Sequence, residues 1–77
     1  MKVTDVREIV ETARVDPGYY SFESERHEAL CLLPYGQEWH VFLSERGRRF
    51  QERTFRSEDE ACTDFLKRLF KLVARSN

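Results

Sequence analysis

Three groups of side chains in this chain are of types that could do chemistry. Cys31, Cys62, His27 and His40 supply the four ligands of a Cys2His2 zinc site. Their spacing contains no Cys-x-x-Cys knuckle, and each cysteine falls in an apolar pattern where a free thiol behaves as a small hydrophobe. No metal site is expected. A Cys/His nucleophile would need a partly exposed thiolate and a third group to orient the histidine, and the sequence indicates neither. The acids Glu23, Glu25 and Glu28 flank Arg26 and His27, an arrangement that paired-carboxylate chemistry could use and that a solvated loop explains better. The densest basic stretch is Ser44-Glu45-Arg46-Gly47-Arg48-Arg49 with Arg53 and Arg56 following. Strict strand alternation puts Arg49 and Arg53 on one face with Gln51, a patch suited to phosphate or to an acidic protein. The same charges would also guard an edge strand against aggregation.

Gly18, Gly36 and Gly47 are isolated in turns, so no glycine-rich loop opens a helix to cradle a nucleotide phosphate. The expectation is a protein without cofactor and without catalytic constellation.

The elements that must position these residues are readable from periodicity. Thr4 and Asp5 can cap a helix whose apolar positions Val6, Ile9, Val10 and Ala13 form one narrow stripe, stopped by Asp16-Pro17-Gly18. Four strands are expected at Tyr19 to Glu23, Glu28 to Leu33, Glu38 to Ser44 and Arg48 to Phe55. The second is apolar on both faces, which predicts a central strand. In the third, Trp39, Val41 and Leu43 alternate with His40, Phe42 and Ser44, and Trp39 is expected to point inward. Pro34-Tyr35-Gly36-Gln37 and Glu45-Arg46-Gly47, the latter read as a type I turn with Gly47 left-handed, join strands two to four into an antiparallel meander. Phe50 and Phe55 have opposite parity, which requires a bulge or an early strand end between them.

Ser57-Glu58-Asp59-Glu60 is a capping box that opens a long helix. Ala61, Cys62, Phe65, Leu66, Leu69, Phe70 and Val73 form its apolar face. Lys67, Arg68, Lys71 and Arg75 in its later turns suit the helix dipole, which gives that basic cluster a structural cause. The expected fold is therefore α+β: a short N-terminal helix, an antiparallel meander of three to four strands, and a long C-terminal helix packed on one sheet face.

With 77 residues there is room for a single domain, 1–77, and no second lobe. Charged residues make up 35% and aromatic residues 13%, with a net charge of -1, the balance of a folded domain rather than a disordered one. Residues 1–45 carry -5 and residues 46–77 carry +4, an asymmetry that an antiparallel fold interleaves in space. No apolar run reaches the roughly 18 residues a membrane span needs, and the first residues carry acids where a signal peptide is apolar. A cytoplasmic protein with no membrane partner is expected.

The order helix, strands, helix resembles the double-stranded RNA-binding domain in topology. That family places a lysine cluster at the start of the last helix. This chain has Glu58, Asp59 and Glu60 there, which would repel a phosphate backbone. A second resemblance runs from about Tyr19 to Leu69. It is carried by Glu38-Trp39-His40-Val41-Phe42-Leu43-Ser44-Glu45-Arg46-Gly47 and by Phe55-Arg56-Ser57-Glu58-Asp59-Glu60-Ala61-Cys62 with the apolar helix that follows. These segments resemble small bacterial immunity proteins of the polymorphic-toxin type. The resemblance implies a non-enzymatic antitoxin that binds and blocks one cognate toxin domain.

The expected function is accordingly a non-catalytic protein-binding module. Its expected partner-binding residues are Tyr35, His40, Phe42, Arg49 and Arg53, with Glu23, Glu25 and Glu28 as a second patch. The alternative is a small nucleic-acid-binding domain using Arg46, Arg48, Arg49 and Arg53. A homodimer is open, because small cores are marginal and a second copy can bury a sheet face.

Overall fold

The computed structural model describes residues Met1–Arg75. Helix α1 (Val3–Thr12) is followed by a single 3-10 turn at Pro17–Tyr19. The strands β1 (Tyr20–Ser21), β2 (Ala29–Tyr35), β3 (Glu38–Glu45) and β4 (Arg48–Phe55) come next, and helix α2 (Glu58–Arg75) is the last described element. The fold is α+β, with a four-stranded sheet in the order β1-β2-β3-β4.

Helix α1 is capped at Lys2, two residues before the expected Thr4. The Asp5 carboxylate accepts the Lys2 backbone N–H at 2.7 Å, and Glu58 at the start of α2 accepts the Val3 N–H at 2.8 Å. Two orphan donors of the first turn are thus satisfied, one of them from the other helix. The helix ends earlier than Asp16-Pro17-Gly18 implied. Arg14 takes a left-handed conformation (φ 57°) and the Val15 N–H returns to the Val10 carbonyl at 3.0 Å, the closing bond of a Schellman cap. Asp16 then accepts the Gly18 N–H at 2.8 Å and shapes the turn into β1.

The meander of β2, β3 and β4 is present, but β1 departs from it. Only Tyr20 and Ser21 are paired, and they run parallel to β2, opposite Leu30 and Cys31. The connection through residues 22–28 carries the chain back before β2 starts, so the two strands share a direction. The β2–β3 hairpin closes on Gly36-Gln37, with Tyr35 opposite Glu38. Gly36 has φ 62° and Gln37 is not left-handed, which is the pattern of a type II′ turn. At the β3–β4 hairpin Arg46 (φ 52°) and Gly47 (φ 77°) are both left-handed, so the turn is type I′ rather than the expected type I. The primed turn matches the twist of the flanking strands.

The strand edges are blunted. Pro34 sits opposite Trp39, beyond the short reach of β1, where a missing N–H costs no ladder bond. On β4 the register slips between Val41 and Leu43, whose partners are Arg53 and Phe50. Gln51 (φ 52°) and Glu52 together face Phe42, which makes this the bulge that the parity of Phe50 and Phe55 required.

Both helices pack on one face. Val6, Val10, Leu30, Leu32, Val41, Ala61, Cys62, Phe65 and Leu69 form the main core, with Trp39, Leu43 and Phe55 packed against it half-buried. Phe70, assigned to the apolar face of α2, is instead exposed. Ser57 caps α2 by accepting the Glu60 N–H at 3.3 Å. From α2, Arg68 reaches the bulge. Its guanidinium donates to the carbonyls of Val41 (3.2 Å) and Gln51 (2.8 Å) and to Asp64 (3.3 Å), while Asp64 also accepts from Arg53 at 2.9 Å.

Two stability predictions follow from this geometry. The left-handed backbone at Arg46 is unfavourable for most L-residues, whereas asparagine tolerates it through local bonds from its short amide, so Arg46→Asn is expected to raise the unfolding free energy by about 0.5–1 kcal/mol in urea titration. Arg68→Met keeps the apolar stem but strips both carbonyls of their donor, and is expected to cost about 1–3 kcal/mol by the same measurement.

Candidate functional site

Opposite the helices, the sheet has a second face. Along β2 it presents Ala29, Cys31, Leu33 and Tyr35, and along β3 Glu38, His40, Phe42 and Ser44. Arg49 (opposite Ser44) and Thr54 (opposite His40) join from β4, and the bulge adds Glu52, which bonds to both His40 and Arg49. Among the described residues no helix covers this face. Cys31, Leu33 and Phe42 nevertheless form a small buried cluster of their own, with Phe42 at 0% exposure.

The cover is a roof of polar and aromatic side chains centred on Arg49. Its guanidinium lies 4.2 Å from the Phe42 ring centroid and 5.3 Å from that of Tyr35. It donates to Glu52 at 2.7 Å, to Glu25 at 2.9 Å and to the Tyr35 hydroxyl at 2.9 Å. Ser44 also donates to Glu25, at 3.4 Å, so the loop before β2 is tied down to the strands. His40 contacts Glu52 through Nδ1 at 2.9 Å and packs tilted (59°) against Tyr35 with ring centroids 4.6 Å apart. A cation over an aromatic face and a carboxylate on each guanidinium arm hold every member in one geometry.

The electrostatics follow from these contacts. Arg49 holds the Glu25 carboxyl below its ordinary range. Glu52 is likewise held down, by the His40 bond first and by Arg49 as well. In return the Arg49 guanidinium is made still harder to deprotonate, with Glu25 the main cause. A carboxylate that orients a histidine is also a catalytic device. Here, however, the other ring nitrogen, Nε2, faces the Glu38 carboxylate at 3.9 Å, and the His40 side chain is only 18% exposed. The thiols offer no better nucleophile: burial pushes Cys31 up and Cys62 up to about 11. The two cysteines belong to separate clusters, Cys62 in the main core and Cys31 beneath the roof. Among the described residues no group of His, Cys, Asp and Glu is arranged to hold a metal ion.

Of the residues expected to bind a partner, Tyr35, His40, Phe42, Arg49 and Glu25 come together in this cluster, and Tyr35 is 40% exposed. Phe42 lies beneath the roof, so it supports the surface rather than forming it. Three residues fall elsewhere. Arg53 was placed with Arg49 by unbroken alternation, but the bulge turns it to the helix side, where it meets Asp64. Glu23 pairs with Arg7 of α1 at 3.4 Å. Glu28 is exposed in a left-handed conformation (φ 61°), its N–H bonded to the Ser44 carbonyl. Sequence reasoning missed Glu52 and Glu38. The signal for Glu52 was available: the parity break that moves Phe55 also moves Glu52 onto the side of Arg49.

The chain matches no protein-family model, no curated protein and no solved structure.

Because Glu25 and Glu52 bind protons more weakly in the folded state, their stabilising contribution is complete above the ordinary carboxylate value of 4.5 and is lost as the pH falls through their depressed values. Urea midpoints followed from neutral to acid pH are expected to fall, and to fall less steeply in Glu25→Gln and in Glu52→Gln than in the parent chain.

Proposed function

We propose that this chain is a non-catalytic protein-binding module whose contact surface is the roofed sheet face, acting as an immunity protein that occupies and blocks one toxin domain. The observation that carries the reading is the Arg49-centred cluster. It presents Tyr35, partly exposed, with His40 beside it, in a geometry already held by ion pairs and ring contacts on a face that no described helix covers. Tyrosine and arginine dominate the energetics of protein interfaces, and a contact set that is ordered beforehand loses less entropy on binding.

The arrangement of the arginines weighs against the nucleic-acid alternative. Arg49 is engaged by two carboxylates on one face and Arg53 by Asp64 on the other, while Arg46 and Arg48 stand at the hairpin end. They form no continuous stripe along which a phosphate backbone could run.

The test is affinity purification of the tagged chain from its native cells after nuclease treatment, with Tyr35→Ala and Arg49→Ala chains run in parallel and their folding checked by circular dichroism. The parent chain is expected to retain one protein in stoichiometric amount, and both folded variants to lose it. Retention of nothing but nucleic acid in untreated lysate, released by moderate salt, would overturn the reading.

A further inference from the structure

Strict alternation places Arg49 and Arg53 together as a patch for phosphate or for an acidic protein, or as charges guarding an edge strand, and the register separates the two. The charged side chains of the roofed face are Glu38 and His40 on β3, Arg49 and Glu52 on β4, and Glu25 reaching in from the loop before β2. Arg53 has left for the helix face, and Arg26 has turned to the Pro17 carbonyl at 3.3 Å. One guanidinium therefore stands bonded among these side chains against three carboxylates. The partition among those acids is uneven. Both arms of Arg49 are occupied by Glu25 and Glu52, whereas Glu38 is 53% exposed, with His40 Nε2 3.9 Å away. Beside Glu38, across the hairpin, stands Tyr35 with 40% of its surface exposed.

We infer that the occupant of this face is a protein presenting a lysine- or arginine-rich surface, one cation of which meets Glu38 while an apolar side chain packs on Tyr35. This rests on the protein-binding reading above. Complementary potentials steer encounter and exclude partners of like sign, so the same surface disfavours a symmetric dimer through this face, which would set the carboxylates of one copy against those of the other. It disfavours a nucleic-acid backbone for the same reason. A cationic partner also gains from the ring faces already present, since Tyr35 is electron-rich above its plane.

The experiment uses the full chain and the protein it retains after nuclease treatment. Retention is measured across a salt series from about 50 to about 200 mM, a range over which the screening length falls through about 10 Å. Glu38→Lys is compared with Glu38→Gln, and carbodiimide is added to join carboxylates to amines in direct contact. The expected result is a loss of at least about tenfold in affinity for Glu38→Lys, a cost of about 1.4 kcal/mol or more, and a smaller loss for Glu38→Gln. Binding is expected to weaken with salt. Where the partner's cation is a lysine, a cross-link from Glu38 is expected to be found by mass spectrometry. A partner whose retention depends on Tyr35 but is unchanged by Glu38→Lys and by salt would overturn the inference and leave the protein-binding reading standing. Tighter binding by Glu38→Lys would overturn it and identify an acidic partner. If no protein is retained at all, the protein-binding reading fails, and this inference falls with it.

Discussion

The β4 bulge is the constraint on which the rest of the molecule depends. Two residues, Gln51 and Glu52, stand opposite the single Phe42, and that one extra residue reverses the facing of everything beyond it. Before the bulge Arg49 points to the open face and Phe50 to the helices. After it Arg53 and Phe55 point to the helices. Without the extra residue Arg53 would stand beside Arg49, Phe55 would leave the core margin, and Glu52 could not reach either Arg49 or His40. The bulge has a cost, since Gln51 takes a left-handed conformation. Arg68 offsets it by donating to the carbonyls of Val41 and Gln51, from a helix that the main core already holds against the sheet. The open-face roof and the helix packing are in this way parts of one arrangement, joined through a single side chain.

That arrangement explains how a chain with one helical layer keeps both sheet faces dry. The helices bury Leu30, Leu32 and Val41 in the ordinary way, by apolar area. On the other side Cys31, Leu33 and Phe42 are too few to recruit a second layer, and a guanidinium, a phenol and an imidazole cover them instead. Arginine suits this role because its planar head can lie on an aromatic ring while its edge donors engage carboxylates. The consequence is a surface that is polar at its outer boundary, apolar just beneath, and fixed in shape.

Much of the fold was legible because it rests on local patterns. The double-sided apolarity of β2, the Ser57 cap and most of the stripe of α2 follow from period and turn chemistry and are present in the structure, whereas β3, read as a strand with one face buried, buries Phe42 and Ser44 as well as Val41. The parallel pairing of β1 was not legible, because two residues carry no period and the direction is set by how the 22–28 connection returns. The candidate site was legible by residue type but only partly by partner. Tyr35, His40, Arg49 and Glu25 were identified, whereas Arg53 was misplaced by carrying strict alternation through a position that the phenylalanine parity had already marked as irregular. A bulge inferred from apolar residues has to be applied to the charged ones as well.

The same reasoning applies to the charge of the surface. Composition shows a basic second half, +4 over residues 46–77, and in isolation β4 reads as a cationic strand. Folding redistributes that charge: Arg53 goes to Asp64, Arg68 to the bulge, and Arg49 is outnumbered by acids drawn from β3, β4 and the loop before β2. Arg49 is thus the organising cation of a cluster in which carboxylates outnumber it. Its positive charge is used inward, to hold Glu25, Glu52 and two aromatic rings in place, and the charge left to face a partner is that of Glu38. A binding surface built this way separates the residue that orders it from the residue that selects its partner. For that reason Arg49 and Glu38 are distinct in role although both belong to one network.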